Sequence, residues 1–365
     1  MPLIMSHRDL VAEMFIEPDI VMNTRSLNTH LSFNRIALAA LISLTGAEAT
    51  AKENTAWSSD FELQAAHGYD SAVSVDELDA YSHQGDNYWQ LKLKNKSQWQ
   101  INDRWALKGG AGYSDKRYNE LDIVNTRITQ ANISPSVKLG SYTLSARADI
   151  ADAQLNGEGF MTFKQINGAL GKKVGKTMYL RGAITQSDKS FDQLSTRDAD
   201  NRSIGGDIFW LKPKQGYIAL NLSHEKEDAK SDAFDYTGNN ISLSYQGQYF
   251  DQALKVTIAG HWSSRSYETV TITETIDPVE PNETDSPFPF LDDEAFTEQA
   301  RDEGETQTRD FTREDTRLKI STDAAYAFNK TVSLVARVSF SDIQSNEARV
   351  DLDKYDASIG VVLNF

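Results

Sequence analysis

The 365-residue sequence contains no cysteine. That absence excludes a disulfide framework, thiolate-ligated zinc or iron–sulfur sites, a thiol nucleophile and a lipidated N-terminal cysteine. Basic side chains are also in short supply, 37 Lys and Arg against 53 Asp and Glu, for a formal net charge of -16. Phosphate binding requires a net basic surface, so nucleic acid is excluded as a partner. Long apolar runs are missing as well. No stretch after the leader approaches the roughly 20 apolar residues of a spanning helix, which rules out helical transporters and anchored receptors. The length would suit about two globular domains, yet a single large barrel absorbs it equally well.

The N-terminal part reads as a processing segment. From Met22 to Ala51, Arg25 and Arg35 precede a short apolar core, Ile36 to Leu44, and Ala47-Glu48-Ala49 and Ala49-Thr50-Ala51 supply small residues for cleavage. Residues 22–51 are therefore expected to be a signal peptide and 52–365 the mature domain. Residues 1–21 carry Asp9, Glu13, Glu17 and Asp19 against Arg8 alone, unlike a basic leader. They are expected to be an upstream mis-annotation, with translation starting at Met22.

Apolar and polar residues then alternate with period two, the mark of a strand with two different faces. Trp89-Gln90-Leu91-Lys92-Leu93-Lys94 is one example, Leu254 to Ile258 a second, Val332 to Phe340 a third. About fourteen strand cores follow, the even count of outer-membrane barrels. They lie near 59–70, 87–99, 104–114, 127–139, 141–151, 160–171, 175–186, 202–212, 216–225, 236–248, 252–265, 315–328, 331–342 and 354–365. Short connections rich in Gly, Pro, Asn and Asp are expected to alternate with long polar ones, the largest at about 266–314. Aromatics recur near strand ends: Trp57, Trp89, Trp99, Trp105, Tyr142, Trp210, Tyr217, Trp262, Tyr326, Phe328 and Phe365. That distribution suits interfacial girdles. The expected fold is all-β, a transmembrane antiparallel up-and-down outer-membrane β-barrel with both termini periplasmic. Its surroundings would be outer-membrane lipid and lipopolysaccharide, reached through the barrel assembly machinery.

Three short stretches carry a family resemblance. Gly68-Tyr69-Asp70-Ser71-Ala72-Val73 looks like a first-strand exit, with Ala72 where Asn is common. Arg313-Glu314-Asp315-Thr316-Arg317 opens a strand, and Ser345-Asn346, Tyr355-Asp356 and terminal Phe365 look like a closing hairpin. In these the chain resembles the barrel of the surface lipoprotein assembly modifier (Slam) family over nearly all of 57–365. The resemblance implies a transport or translocation-type role at the outer membrane, with a surface lipoprotein as client. Members commonly carry a periplasmic tetratricopeptide domain, and no such helical repeat is expected before the first strand here.

Parity along the strands assigns the inner face. Lys92, Lys94, Lys96, Lys108, Lys138, Arg147, Arg181, Lys255, Lys319 and Arg337 fall there with His261. So do Asp149, Asp207, Asp323 and Asp356. Two readings follow: a neutralising network of cross-strand ion pairs that stiffens the wall, or a porin-like channel whose basic excess favours small anionic solutes. The loop with Glu294, Glu298, Asp302, Glu303 and Glu305 reads as an extended, solvated segment. Alternatively it folds into the lumen as a constriction, or binds Ca²⁺ at the lipopolysaccharide surface, or contacts other external ligands. No metal-ligand spacing and no cofactor motif is present. His83 with Asp86 and His224 with Glu225 are the candidate catalytic pairs, but no nucleophile motif accompanies them, so no enzyme is expected.

Overall fold

The computed structural model describes residues 56–212, 215–276, 305–347 and 350–365. The signal-peptide and upstream segments expected in 1–51 lie outside them. Among the described residues, eighteen strands form in chain order. The fourteen long ones are β1 (Ala56–Asp70), β4 (Asp86–Gln100), β5 (Trp105–Tyr118), β6 (Thr126–Leu139), β7 (Tyr142–Leu155), β8 (Glu158–Val174), β9 (Met178–Phe191), β10 (Ala199–Lys212), β11 (Gly216–Ala229), β12 (Tyr236–Tyr249), β13 (Leu254–Tyr267), β16 (Glu314–Ala327), β17 (Val332–Ser345) and β18 (Leu352–Asn364). Each pairs antiparallel with the next, and β1 pairs with β18 from Glu62↔Asn364 to Asp70↔Asp356. The sheet has no free edge: it is a closed, fourteen-stranded up-and-down barrel, the architecture of outer-membrane proteins. Two small ribbons complete it, β2 (Ser74–Val75) with β3 (Ala80–Tyr81), and β14 (Val270–Ile276) with β15 (Glu305–Phe311).

The start of β1 and the end of β18 lie at one rim, termed the terminal rim below. Its turns are short because side chains pre-form them. The Asn102 carboxamide oxygen accepts the N–H groups of Arg104 and Trp105 at 2.9 Å, and Asn329 does the same for Thr331 and Val332 at 2.8 and 2.9 Å. The far rim is more regular than expected. After β5, β9, β11 and β17 a compact loop returns an Asx oxygen to the last strand N–H: Asn125 to Tyr118, Asp198 to Phe191, Asp235 to Ala229 and Asp351 to Ser345, all at 2.5–2.7 Å. The expected alternation of short and long connections is therefore uneven. β7 and β8 extend beyond their expected ends and meet at Asn156-Gly157, where φ of 49° and 84° makes the tight turn that Asn-Gly favours. Only residues 71–85 and the segment around 268–313 are long. The latter was expected to be extended from about 266, but β13 runs to Tyr267 and the β14–β15 ribbon forms the loop's base.

One face of the wall carries large exposed apolar side chains all the way round. Ile166, Ile184 and Ile204 are 68%, 65% and 62% exposed, with Leu91, Ile133, Leu144, Leu222, Leu243, Ile320, Val338 and Ile359 in the same belt. The largest apolar patch of a water-soluble monomer is typically about 300–600 Å², and a continuous girdle of this kind exceeds that. Lipid is the solvent that matches it, because a closed barrel leaves no backbone group unpaired at its surface. Exposed Trp57, Trp99, Trp105, Tyr142, Trp210, Tyr326, Phe328 and Phe365 gather at the terminal rim. Trp89 lies outward near the far rim and Trp262 outward on β13. Tyr217 is not part of the girdle. Register places it on the inner face, where its ring sits 6.4 Å from that of Phe209.

Candidate functional site

The connection between β1 and β4 does not project from the rim. Residues 71–85 fold back into the barrel as a plug, built on the Ser74↔Tyr81 and Val75↔Ala80 pairs and a single 3-10 turn, Asp76–Leu78. Sequence explains the direction. Val73, Val75, Leu78 and Ala80 are too apolar for a solvated loop, and all are buried, at 7% exposure or less. They pack against Tyr88, Tyr118, Leu121, Val124, Leu155, Phe160, Met161 and Phe191, which come from one half of the wall, β4 through β9. A register shift between β7 and β8 leaves Phe160 without a Cα partner, and it joins adjacent Met161 in this cluster. Ala72 and Tyr81 pack separately on Ile343, Val350 and Leu352 of the β17–β18 side.

The remaining side of the plug is held by charge. At its root, the Asp70 carboxylate takes Lys354 at 3.0 Å, Lys116 at 3.5 Å and the Tyr118 hydroxyl at 2.9 Å. Asp356 beside it accepts Tyr88 at 3.0 Å and lies 4.0 Å from Lys116. Farther in, Lys189 of β9 reaches Glu77 of the plug at 3.4 Å and Glu227 of β11 at 2.9 Å. At the tip, Asp79 is met by Arg313 at 3.0 Å, Arg317 at 3.1 Å and Arg197 at 3.5 Å. Arg197 also donates to the backbone carbonyls of Glu77 and Leu78, at 3.0 and 3.1 Å. Burial alone would push the Asp79 carboxyl up. Its hydrogen bond to Arg313 and the charges of Arg313, Arg317 and Arg197 outweigh that and hold it well below the ordinary carboxylate range. The plug thus spans the mouth, its largest apolar seat on β4 through β9 and a smaller one by β17 and β18, with ionic contacts to the wall at its root, middle and tip.

Below the plug the inner wall is polar. Lys92, Lys94 and Lys96 of β4 stand opposite Gln64, Glu62 and Asp60 of β1. Lys108 of β5, Lys138 of β6, Lys255 of β13 and Lys319 of β16 share that inner face by register. Lys96, Lys138 and Lys255, toward the terminal rim, and Lys319, near the middle of β16, are exposed although they face inward, so the lumen is accessible to water there. The arginines behave differently. Arg147 bonds Asp149 two residues along its own strand at 2.8 Å, Arg181 bonds Asp207 on the neighbouring strand at 3.1 Å, and Arg337 pairs with Asp323. Asp356 belongs to the network at the plug's root instead. The inner wall therefore carries arginine–carboxylate pairs and, on β4, β5 and β6, an arc of lysines.

The histidine pairs are not assembled. Adjacent strand residues point to opposite faces, so His224 lies outward, bonded to Asn239 at 2.9 Å, while Glu225 points into the lumen. His83 is exposed on the plug, whereas the Asp86 carboxylate accepts the N–H groups of Glu120 and Leu121 at 2.8 and 3.0 Å. His261 faces inward and bonds Ser242 at 2.8 Å. Of the acidic loop, Glu294, Glu298, Asp302 and Glu303 lie outside the described residues, and Glu305 begins β15. Sequence reasoning missed Glu77, Asp79, Lys189 and Arg197. Two signals were available: the apolar content of 72–81, and the spacing Arg313-x-Asp315-x-Arg317, whose alternation gathers two arginines about one carboxylate where β16 begins.

No protein-family model matches the chain, and no curated protein matches it. Among solved structures it is similar to an outer-membrane-expressed OmpT of Vibrio cholerae, at 9% identity over 87% of this chain and 100% of that one, TM-score 0.48. It is also similar to an anion-selective porin from Comamonas acidovorans, at 8% identity over 86% and 100% of the two chains, TM-score 0.45. A third is the CymD monoaromatic hydrocarbon channel, at 10% identity over 84% and 88%, TM-score 0.41. None of these likenesses assigns a substrate to this chain.

Proposed function

We propose that the protein resides in an outer membrane, with its terminal rim in the periplasm, and admits small anionic solutes past a plug that closes its outer mouth. One observation carries the reading: a water-accessible inner wall bearing Lys96, Lys138, Lys255 and Lys319, with Lys92, Lys94 and Lys108 on the same face, inside an apolar exterior. Such a wall favours anions because the low-dielectric barrel around it focuses positive potential along the lumen. The ion pairs Arg147–Asp149, Arg181–Asp207 and Arg337–Asp323 stiffen the cylinder. Lipopolysaccharide and lipid surround the belt, and the barrel assembly machinery inserts it. Nothing in the described residues favours a lipoprotein client over a solute.

The test is reconstitution of the full chain into planar bilayers under a salt gradient. The reading expects a reversal potential of the anion-selective sign, reduced in a Lys92→Gln, Lys94→Gln, Lys96→Gln variant. Cation selectivity, or no conductance under any voltage in either protein, would refute it.

A further inference from the structure

The tip of the plug rests in a site that the wall builds without it. Arg313 and Arg317 both approach Asp315, at 2.6 and 3.7 Å; Asp315 and Arg317 belong to the start of β16 and Arg313 immediately precedes it, so none of the three is part of the plug. Asp315 is fully buried and belongs to the wall, so this carboxylate stays beside the two guanidinium groups when the plug moves. The Arg313 guanidinium also stacks over the Tyr267 ring at 4.4 Å, and Arg197 stacks over the Phe234 ring at 4.0 Å. These are rigid, pre-set cations. Into them the plug inserts one carboxylate, Asp79, from a left-handed backbone with φ of 52°. Few residue types enter that region readily, Asn and Asp among them.

A single carboxylate does not satisfy the cradle. The Nε atoms of Arg317 and of neighbouring Arg265 are buried with no hydrogen-bond partner among the described residues. Arg265 lies directly opposite Asp315 in register and stacks over Tyr236 at 4.5 Å. Buried donors are normally paired, so a ligand with more oxygens than Asp79 offers would be better matched here. Arginine's planar fork suits carboxylates in particular.

We infer that Arg197, Arg313 and Arg317 form a binding site for a small carboxylate-bearing anion at the outer mouth, and that Asp79 is its built-in occupant. A carboxylate ligand entering from outside replaces Asp79 and releases the plug tip, because one cradle cannot serve both. Asp315 positions the arginines, and Lys189 holds Glu77 as the second point of release. The inference rests on the proposed anion-passing role only for its biological use, since the site itself is defined without conduction.

Titration of the full chain in detergent micelles with succinate tests it, read by calorimetry and so independently of any current. The wild-type protein binds weakly, because only the plug-released fraction is competent. Asp79→Asn keeps the backbone preference and removes the competing charge. It is expected to bind succinate at least about tenfold more tightly, and Asp79→Asn combined with Arg317→Gln is expected to lose that gain. Glu77→Gln, which frees the plug from Lys189 and leaves the cradle untouched, is expected to raise affinity by a smaller factor and stands in if Asp79→Asn does not fold. Heat-modifiable gel mobility reports that each barrel is closed. Closed barrels of both variants binding no more tightly than wild type would overturn the site, and leave the channel reading intact if conductance is present. A gain in affinity with no conductance in bilayers would support the site and sink the channel reading.

Discussion

Arg313 and Asp79 stand 234 positions apart in the chain and 3.0 Å apart in the lumen. The contact joins the first connection of the barrel to the strand that follows its longest one. Because Asp79 gathers Arg197 and Arg317 as well, loss of Arg313 should be felt chiefly by the plug. A hydrogen bond to a charged group contributes about 1.5–3 kcal/mol, and without Arg313 the Asp79 carboxylate still keeps Arg197 and Arg317. Arg313→Ala is therefore expected to lower hydrogen-exchange protection of residues 71–85 by about that amount, with little change in the β8–β10 amides. Equal loss in both regions would mean that the arginine supports the whole wall instead.

Acid should release the plug only at low pH. A carboxyl depressed in the folded state contributes stability that is fully present above its unfolded pKa, about 3.9 for Asp. That contribution is lost as pH falls from there through the lower folded-state value. Asp79 is held below its ordinary value by Arg313, Arg317 and Arg197 against the opposing effect of burial. Proteolytic nicking of 71–85 is therefore expected to stay slow from neutral pH down to about pH 4 and to rise below it. A rise beginning above about pH 5 would show that another group controls seating.

The apolar half can be weakened without touching a charge. Phe160 is 1% exposed and stacks edge-on against Phe191 with ring centroids 6.0 Å apart. Phe160→Ala is expected to cost about 3–5 kcal/mol, the usual range for a buried Phe. Part of that cost should appear as faster nicking of the plug. Thermal unfolding followed alongside nicking separates the two, and an unchanged nicking rate would place Phe160 in the wall's packing alone.

The lipid belt makes a prediction that depends on side-chain parity. Ile184 and Thr185 are neighbours near the middle of β9, the first 65% exposed in the outer belt, the second bonded to Asn167 at 2.7 Å on the inner face. Ile184→Arg should destabilise the folded barrel in lipid vesicles by about 2–4 kcal/mol, the cost of arginine at the bilayer midplane. Thr185→Arg should cost clearly less, because its side chain enters a wet lumen. Denaturant unfolding in vesicles measures both, and equal costs would contradict the assignment of faces.

The wall was legible because its signal is local. Leu91-Lys92-Leu93-Lys94 declares a two-faced strand within four residues, and every long strand overlaps its expected core. The errors lie at the far rim. β5, β7, β9 and β11 run beyond their expected ends at 114, 151, 186 and 225. The residues added there, such as Lys116, Lys189 and Glu227, are charged but largely withdrawn from water in ion pairs around the plug. Period-two reading places a charge on the wet face or ends the strand, and has no category for a buried ion pair inside a lumen. For the same reason Asp70-Ser71-Ala72-Val73 read only as a strand exit, although it starts the plug.

What the chain determines on its own is the cylinder. Alternation is a property of neighbouring residues, so it specifies which side chains meet lipid and which meet the interior before any strand has found its partner. What closed the mouth is different in kind. Arg197 donates to the carbonyl of Leu78 across 119 positions of chain, and Lys189 finds Glu77 and Glu227 only once their separate strands have been wrapped into a ring. Those contacts depend on closure bringing opposite walls within reach of one inward loop, and that proximity has no counterpart in sequence spacing.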